Sequence, residues 1–181
     1  FYKVDLNKIK SILKSEKIVF FDIGCRGGIN KSIDKYRDVL DVYVSDADAD
    51  ALEAHKFSVE GFHVINKGIG QISKGVEDLY LCKKPGVSSI LKPSGRFLEF
   101  YTRGDRSTLE DSSRFEIINK EKINITNIAN IFKHRNSLDL LKIDVQGYEL
   151  EVIKGLGKVR PLIIETEVSY VPLYQDSVTF F

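Results

Sequence analysis

Four short, mainly apolar runs punctuate the chain, and each leads into an acid. Ile18-Val19-Phe20-Phe21 precedes Asp22, Val42-Tyr43-Val44-Ser45 precedes Asp46, Leu140-Leu141-Lys142-Ile143 precedes Asp144, and Leu162-Ile163-Ile164 precedes Glu165. The first run is unbroken, as suits a strand buried on both faces of a parallel sheet, and the last predicts a final buried strand. Helical spacing falls between them, over 33–40, over 51–59 with Gly61 as its stop, and over 147–154 with Leu150, Val152 and Ile153 inward and Gly155 at its end. A third strand fits 62–66. Strand and helix thus alternate, which predicts right-handed crossovers and a parallel sheet. The middle breaks that rhythm. Gly68, Gly70 and Gly75 punctuate it, a strand fits 77–82, a turn fits 84–86, and a polar stretch runs from Lys92 to Arg114. A further strand fits 115–125 and a short helix 127–132. The middle therefore reads as an antiparallel insertion with loops of the kind that bind or cover ligands. At the start, Asp5-Leu6-Asn7 can cap a helix within 1–17 whose apolar side is Ile9, Ile12 and Leu13.

With 181 residues the chain has the length of one domain. The 27 Lys and Arg against 26 Asp and Glu leave a net charge of +1, which argues against a strongly basic nucleic-acid binder and an acidic tail. Lys8, Lys10, Lys14 and Lys17 read as a solvated helix face. Cys25 and Cys82 lie far apart without a CxxC pair, so no metal site is expected and two reduced cysteines in a cytoplasmic protein are. No apolar run approaches the length of a membrane span. The chain starts at Phe1, contains no Met and stops on Phe180-Phe181, which leads us to expect a longer parent protein.

Ligands of open α/β sheets bind at the carboxyl ends of the strands. Asp22, Asp46 and Asp144 fall at that edge, and Glu165 and Glu167 add a fourth acidic site. In the loop Asp22-Ile23-Gly24-Cys25-Arg26-Gly27-Gly28, Gly24 allows a tight turn and Gly28 a close helix start. Asp46 follows Asp22 by 24 positions and can accept both hydroxyls of a ribose. That arrangement serves a nicotinamide dinucleotide or S-adenosylmethionine. A dinucleotide wants glycine at the middle of GxGxxG; Arg26 stands there instead, and no GxxxxGK[ST] phosphate loop exists.

The whole set of segments resembles the FkbM family of S-adenosylmethionine-dependent methyltransferases. The segments, all from this chain, are Phe21 to Gly28, Ser45 to Glu53, Asn66 to Gly70, Leu79 to Leu81, Pro85 to Ser89, Leu141 to Gly155, Ile164 to Val168 and Val171 to Tyr174. The resemblance covers about residues 18–175. It implies a Rossmann-like class I methyltransferase domain over 18–181, α/β with helices on both faces of a mostly parallel sheet of order 3-2-1-4-5, and with C-terminal edge strands missing from this chain. It further implies S-adenosyl-L-methionine as cofactor, bound by Asp22, Gly24, Arg26, Gly28 and Asp46. Asp144 is then the first candidate general base, with Glu165 and Glu167 behind it. The expected reaction is O-methylation of a hydroxyl on a sugar, glycan or secondary metabolite. The expected partner is that small-molecule or glycan acceptor, without nucleic acid or membrane; a homodimer stays open. The alternatives are a dinucleotide-dependent oxidoreductase and a non-catalytic domain that keeps the fold. Asp46-Ala47 departs from the family's usual Glu-Pro, and the acid often found at the position of Ala129 is lost.

Overall fold

The computed structural model describes residues 8, 11–13, 16–54, 62–98, 112–135 and 137–179. Its strands are β1 (Ile18–Ile23), β2 (Leu40–Ser45), β3 (His63–Ile65), β4 (Gly68–Ile69), β5 (Gly75–Cys82), β6 (Ile117–Thr126), β7 (Leu140–Ile143) and β8 (Ile163–Thr166). Its helices are α1 (Lys31–Asp34), α2 (Ala49–Ala54), α3 (Gly95–Leu98), α4 (Ile128–Ile131) and α5 (Glu149–Lys154). Five strands form a sheet of order β3-β2-β1-β7-β8, and every neighbouring pair in it is parallel. The three remaining strands form a second sheet of order β4-β6-β5, with β5 and β6 antiparallel. The α/β class, the sheet order and the antiparallel insertion agree with the sequence.

The alternation along β1 explains why its apolar run is unbroken. Val19, Phe21 and Ile23 enter one core with Leu141, Ile143, Ile128, Phe132 and Val152. Phe20 enters the opposite core with Val42, Val44, Leu52 and Phe62. A strand covered on both faces has no position free for a polar residue without a partner. Truncating one of these large side chains to Ala would cost about 3–5 kcal/mol. The insertion sheet buries its own Leu79, Ile123 and Ile125 and lies over the carboxyl edge of the main sheet.

Several details differ from the sequence expectation. The helix expected over 33–40 is one turn, α1, capped by the Asn30 side chain, then a 3-10 turn at Arg37–Val39. Leu40 already belongs to β2 because its side chain is needed in the core. The start of the helix expected over 51–59 is present as α2, and residues 55–61 lie outside the described residues. In the N-terminal segment Lys8, Ser11 and Ile12 are helical, Ile12 is exposed, and most of the rest lies outside the described residues, as does 99–111 of the polar stretch.

The expected burial of the last strand is overturned. β8 is the outer strand, and Leu162, Ile163 and Ile164 are 80%, 61% and 41% exposed. The buried clusters of the described residues stop short of them. An apolar run looks the same whether or not a neighbour covers it. Gly155 ends α5 as expected, but with φ −75 and not in the left-handed region. Its glycine answers a different need: a Cβ there would stand 2.1 Å from the Gly70 carbonyl oxygen. Among the described residues, no helix is long and apolar enough to cross a membrane.

Candidate active site

The two strands that flank β1 end one residue before an acid. β2 closes at Ser45 and is followed by Asp46; β7 closes at Ile143 and is followed by Asp144. Asp22 sits differently, inside β1, register-paired with Val44 on one side and Lys142 on the other. It is 2% exposed, and its Oδ1 accepts a hydrogen bond from Lys142 Nζ at 2.9 Å. Burial pushes the Asp22 carboxyl up while the Lys142 charge and hydrogen bond oppose that shift. Burial also works against the Lys142 ammonium, but Asp22, Asp144 and Glu165 together outweigh it and the ammonium is stabilised. The two stand as an ion pair beneath the site, with Asp22 as its buried member.

The turn after β1 brings backbone against backbone. Gly24 has φ 84, and a Cβ on it would fall 1.8 Å from the Asp144 carbonyl oxygen. Only glycine fits that approach. Gly24 and Cys25 donate their N–H groups to the Ser45 carbonyl, at 2.8 and 3.3 Å, and Asp144 donates its own to Ile23 O at 2.9 Å. Three strand ends, β1, β2 and β7, are thereby tied together around one opening.

That opening is a cavity of about 260 Å³ lined by Gly24, Arg26, Gly27, Asp46, Asp144 and Gln146 with an apolar wall of Ile69, Leu79 and Ile90. Asp46 is half-buried and receives the Asp48 N–H at 2.9 Å. Burial raises its pKa to about 6, against the charge and N–H of Arg26, with the nearby Asp144 adding to the rise. Arg26 forms an ion pair with Asp48, whose other oxygen receives the Asp50 N–H in the first turn of α2. Asp144 Oδ1 accepts from Gln146 Nε2 at 2.8 Å, and its Oδ2 lies 4.0 Å from Lys142 Nζ.

A second cavity, about 490 Å³, adjoins the first and shares Gly86 and Gln146 with it. Glu167, Tyr170, Phe115 and Tyr174 line it. Burial, Asp144 and Glu149 push the Glu167 carboxyl up, against Lys142 and a hydrogen bond from Gln146.

Of the site residues expected from sequence, Gly24, Arg26, Asp46 and Asp144 share the first cavity, and Glu167 lines the second. Asp22 stands behind the first cavity as the partner of Lys142, and Gly28, with φ 78, shapes the loop without lining it. Glu165 lines neither: it is exposed on β8, register-paired with Lys142. Gln146 is the residue that sequence reasoning passed over. Its only signal was its place in the segment Asp144-Val145-Gln146-Gly147.

The acids one step past β2 and β7, the contact of Gly24 with Asp144 and the apolar wall meet at the carboxyl edge of the sheet, where open α/β sheets bind ligands. No curated protein and no solved structure matches the chain. A family model does, that of the methyltransferase FkbM domain, over residues 13–181. The chain belongs to the FkbM methyltransferase family.

Proposed function

We propose that this chain is an S-adenosylmethionine-dependent O-methyltransferase acting on a hydroxyl of a sugar, glycan or secondary metabolite. The observation that carries the proposal is the placing of Asp46 and Asp144 on one cavity, on either side of the Gly24 turn. The residues fit the cofactor. Asp46, ionised above about 6, offers carboxylate oxygens to the two ribose hydroxyls. Ile69, Leu79 and Ile90 give an adenine ring an apolar wall. Arg26, tied to Asp48, holds the loop where a pyrophosphate would otherwise need a glycine. That feature supports the methyl donor over a dinucleotide.

When bound, S-adenosylmethionine supplies a sulfonium methyl group that passes to an acceptor oxygen as the carbon–sulfur pair stays on sulfur. Asp144 is the chain's candidate to take the proton that the acceptor hydroxyl then loses. Gln146 donates to its Oδ1, which leaves Oδ2 as the oxygen to face the acceptor. Lys142 Nζ stands 4.0 Å from that oxygen. The remaining task is alignment, which the tied ends of β1, β2 and β7 serve. The neutral overall charge supports a small-molecule or glycan acceptor over nucleic acid, and we place the enzyme in the cytoplasm.

Calorimetric titration of S-adenosylmethionine and NAD into the chain tests the proposal. Binding of S-adenosylmethionine with no heat from NAD is expected. Binding of NAD alone would overturn it in favour of an oxidoreductase.

A further inference from the structure

Gln146 is the partition between the two cavities, and its conformation is unusual. It carries a side chain yet stands at φ 56, in the left-handed region that non-glycine residues seldom occupy, a conformation shared among the described residues by Asp176. The surroundings hold it there. The Ser89 hydroxyl donates to its carbonyl at 2.7 Å. The next residue, Gly147, has φ 97, and a Cβ on it would meet the Tyr174 ring at 2.9 Å.

Its side-chain amide is equally constrained. A carboxylate only accepts hydrogen bonds, so the amide nitrogen must face Asp144, to which it donates at 2.8 Å. The amide oxygen lies 3.3 Å from the Tyr174 hydroxyl, whose single proton is directed mainly to Val87 O at 2.9 Å. The amide also favours the charged form of the Glu167 carboxyl, against burial. One planar group therefore links an acid of the first cavity to an acid of the second.

We propose that the second cavity is the acceptor site, that it receives an uncharged hydroxyl-bearing group, and that Gln146 is the positioning residue that sets Asp144 and Glu167 around that hydroxyl. The proposal rests on the first cavity being the donor site. The chemistry of the partition selects the acceptor. Glu149 and Glu167 line the cavity together with Lys84 and Arg114, so its charges balance and an acceptor without net charge suits it. Glu149 is already engaged, since its Oε1 accepts from the backbone N–H groups of Gly147 and Val145 at 3.0 and 3.3 Å. Glu167 is left to accept from an incoming hydroxyl. Phe115 and Tyr170 add ring surface for the carbon skeleton of the acceptor.

The test is NMR on the isotopically labelled full chain saturated with S-adenosylhomocysteine. Neutral methyl glycosides are titrated in, with glucuronate as the anionic control. The glycosides are expected to shift the amides of Gln146, Glu167 and Tyr170 and to leave those of Gly24 and Asp46 in place. Glucuronate should bind no more tightly than the neutral glycosides, and Glu167→Gln should weaken the glycosides at least fivefold. In the same samples the carboxyl carbon of Asp144, assigned with Asp144→Asn, reports its hydrogen bonding at constant pH. Gln146→Leu should shift that resonance, and Tyr174→Phe should shift it less. Shifts confined to the first cavity, no shifts with any glycoside, tighter binding of glucuronate, or an unmoved Asp144 carboxyl resonance in Gln146→Leu would overturn the proposal. If S-adenosylhomocysteine fails to saturate the chain, the donor site is what fails, and the glycoside titration of the free chain still decides the second cavity.

Discussion

Asp22 and Lys142 face each other in register across β1 and β7, and their side chains close that pairing with a 2.9 Å hydrogen bond. Glu165 continues the row on β8, so three charged residues cross the parallel sheet side by side. The buried member is Asp22, and it depends on Lys142. Lys142→Met should destabilise the fold by about 3–5 kcal/mol, because it leaves a buried carboxylate without its counter-charge. Asp22→Leu combined with Lys142→Met should recover most of that loss. Urea denaturation of the two variants checks both outcomes.

Asp46 should make cofactor binding sensitive to pH. Its pKa is raised from 3.8 to about 6, so between those values the folded chain holds a proton that the unfolded chain has released. The contribution of Asp46 to stability is therefore greatest below about 4 and is lost as pH rises through about 6. Binding runs the other way, since ribose hydroxyls need the ionised carboxylate. Affinity for S-adenosylmethionine should rise from pH 5 to pH 7. Asp46→Asn should remove that rise and weaken binding roughly tenfold or more at pH 7. Calorimetry across the pH series is the measurement.

Two glycines of one loop should respond unequally to the same substitution. Gly24→Ala places a methyl on the Asp144 carbonyl at a φ of 84. The left-handed backbone alone costs about 1–2 kcal/mol, and the contact adds to it. Gly27→Ala meets nothing within 4 Å and should leave stability close to that of the parent. Thermal melts of the two variants separate a steric demand from a general preference for glycine in that loop.

Asp144→Asn should separate chemistry from binding. Loss of a general base lowers the rate by about 10²–10⁴-fold, while the cofactor keeps its contacts with Asp46 and the apolar wall. The methylation rate should fall far more than the affinity for S-adenosylmethionine. Equal losses would assign Asp144 to binding.

The parallel sheet was legible because its information is local. An unbroken apolar run followed by an acid, repeated with helical spacing between, leaves few arrangements open. Asp46 and Asp144 were legible for the same reason, since a strand end is a position along the chain. What could not be read is what depends on a distant partner. Nothing near Asp22 in sequence announces that Lys142, 120 positions away, will neutralise it. Nothing near Arg26 announces Asp48. Leu162, Ile163 and Ile164 look like core whether or not another layer covers them. Gln146 is the sharpest case, because a left-handed backbone at a glutamine has no local sequence signature and follows from Ser89 and Tyr174 packed around it.

Cys25 and Cys82 are each 1% exposed. Burial pushes both thiols up, Cys82 to about 11, so neither offers a thiolate at neutral pH. The native chain is therefore a silent background for thiol-reactive dyes and spin labels. A cysteine introduced at Tyr170, on the open rim of the second cavity, would take a label without first removing the other two. Cys25 lies on the turn that ties β1 to β2 through the Ser45 carbonyl, so slow labelling there would clock how often that turn opens.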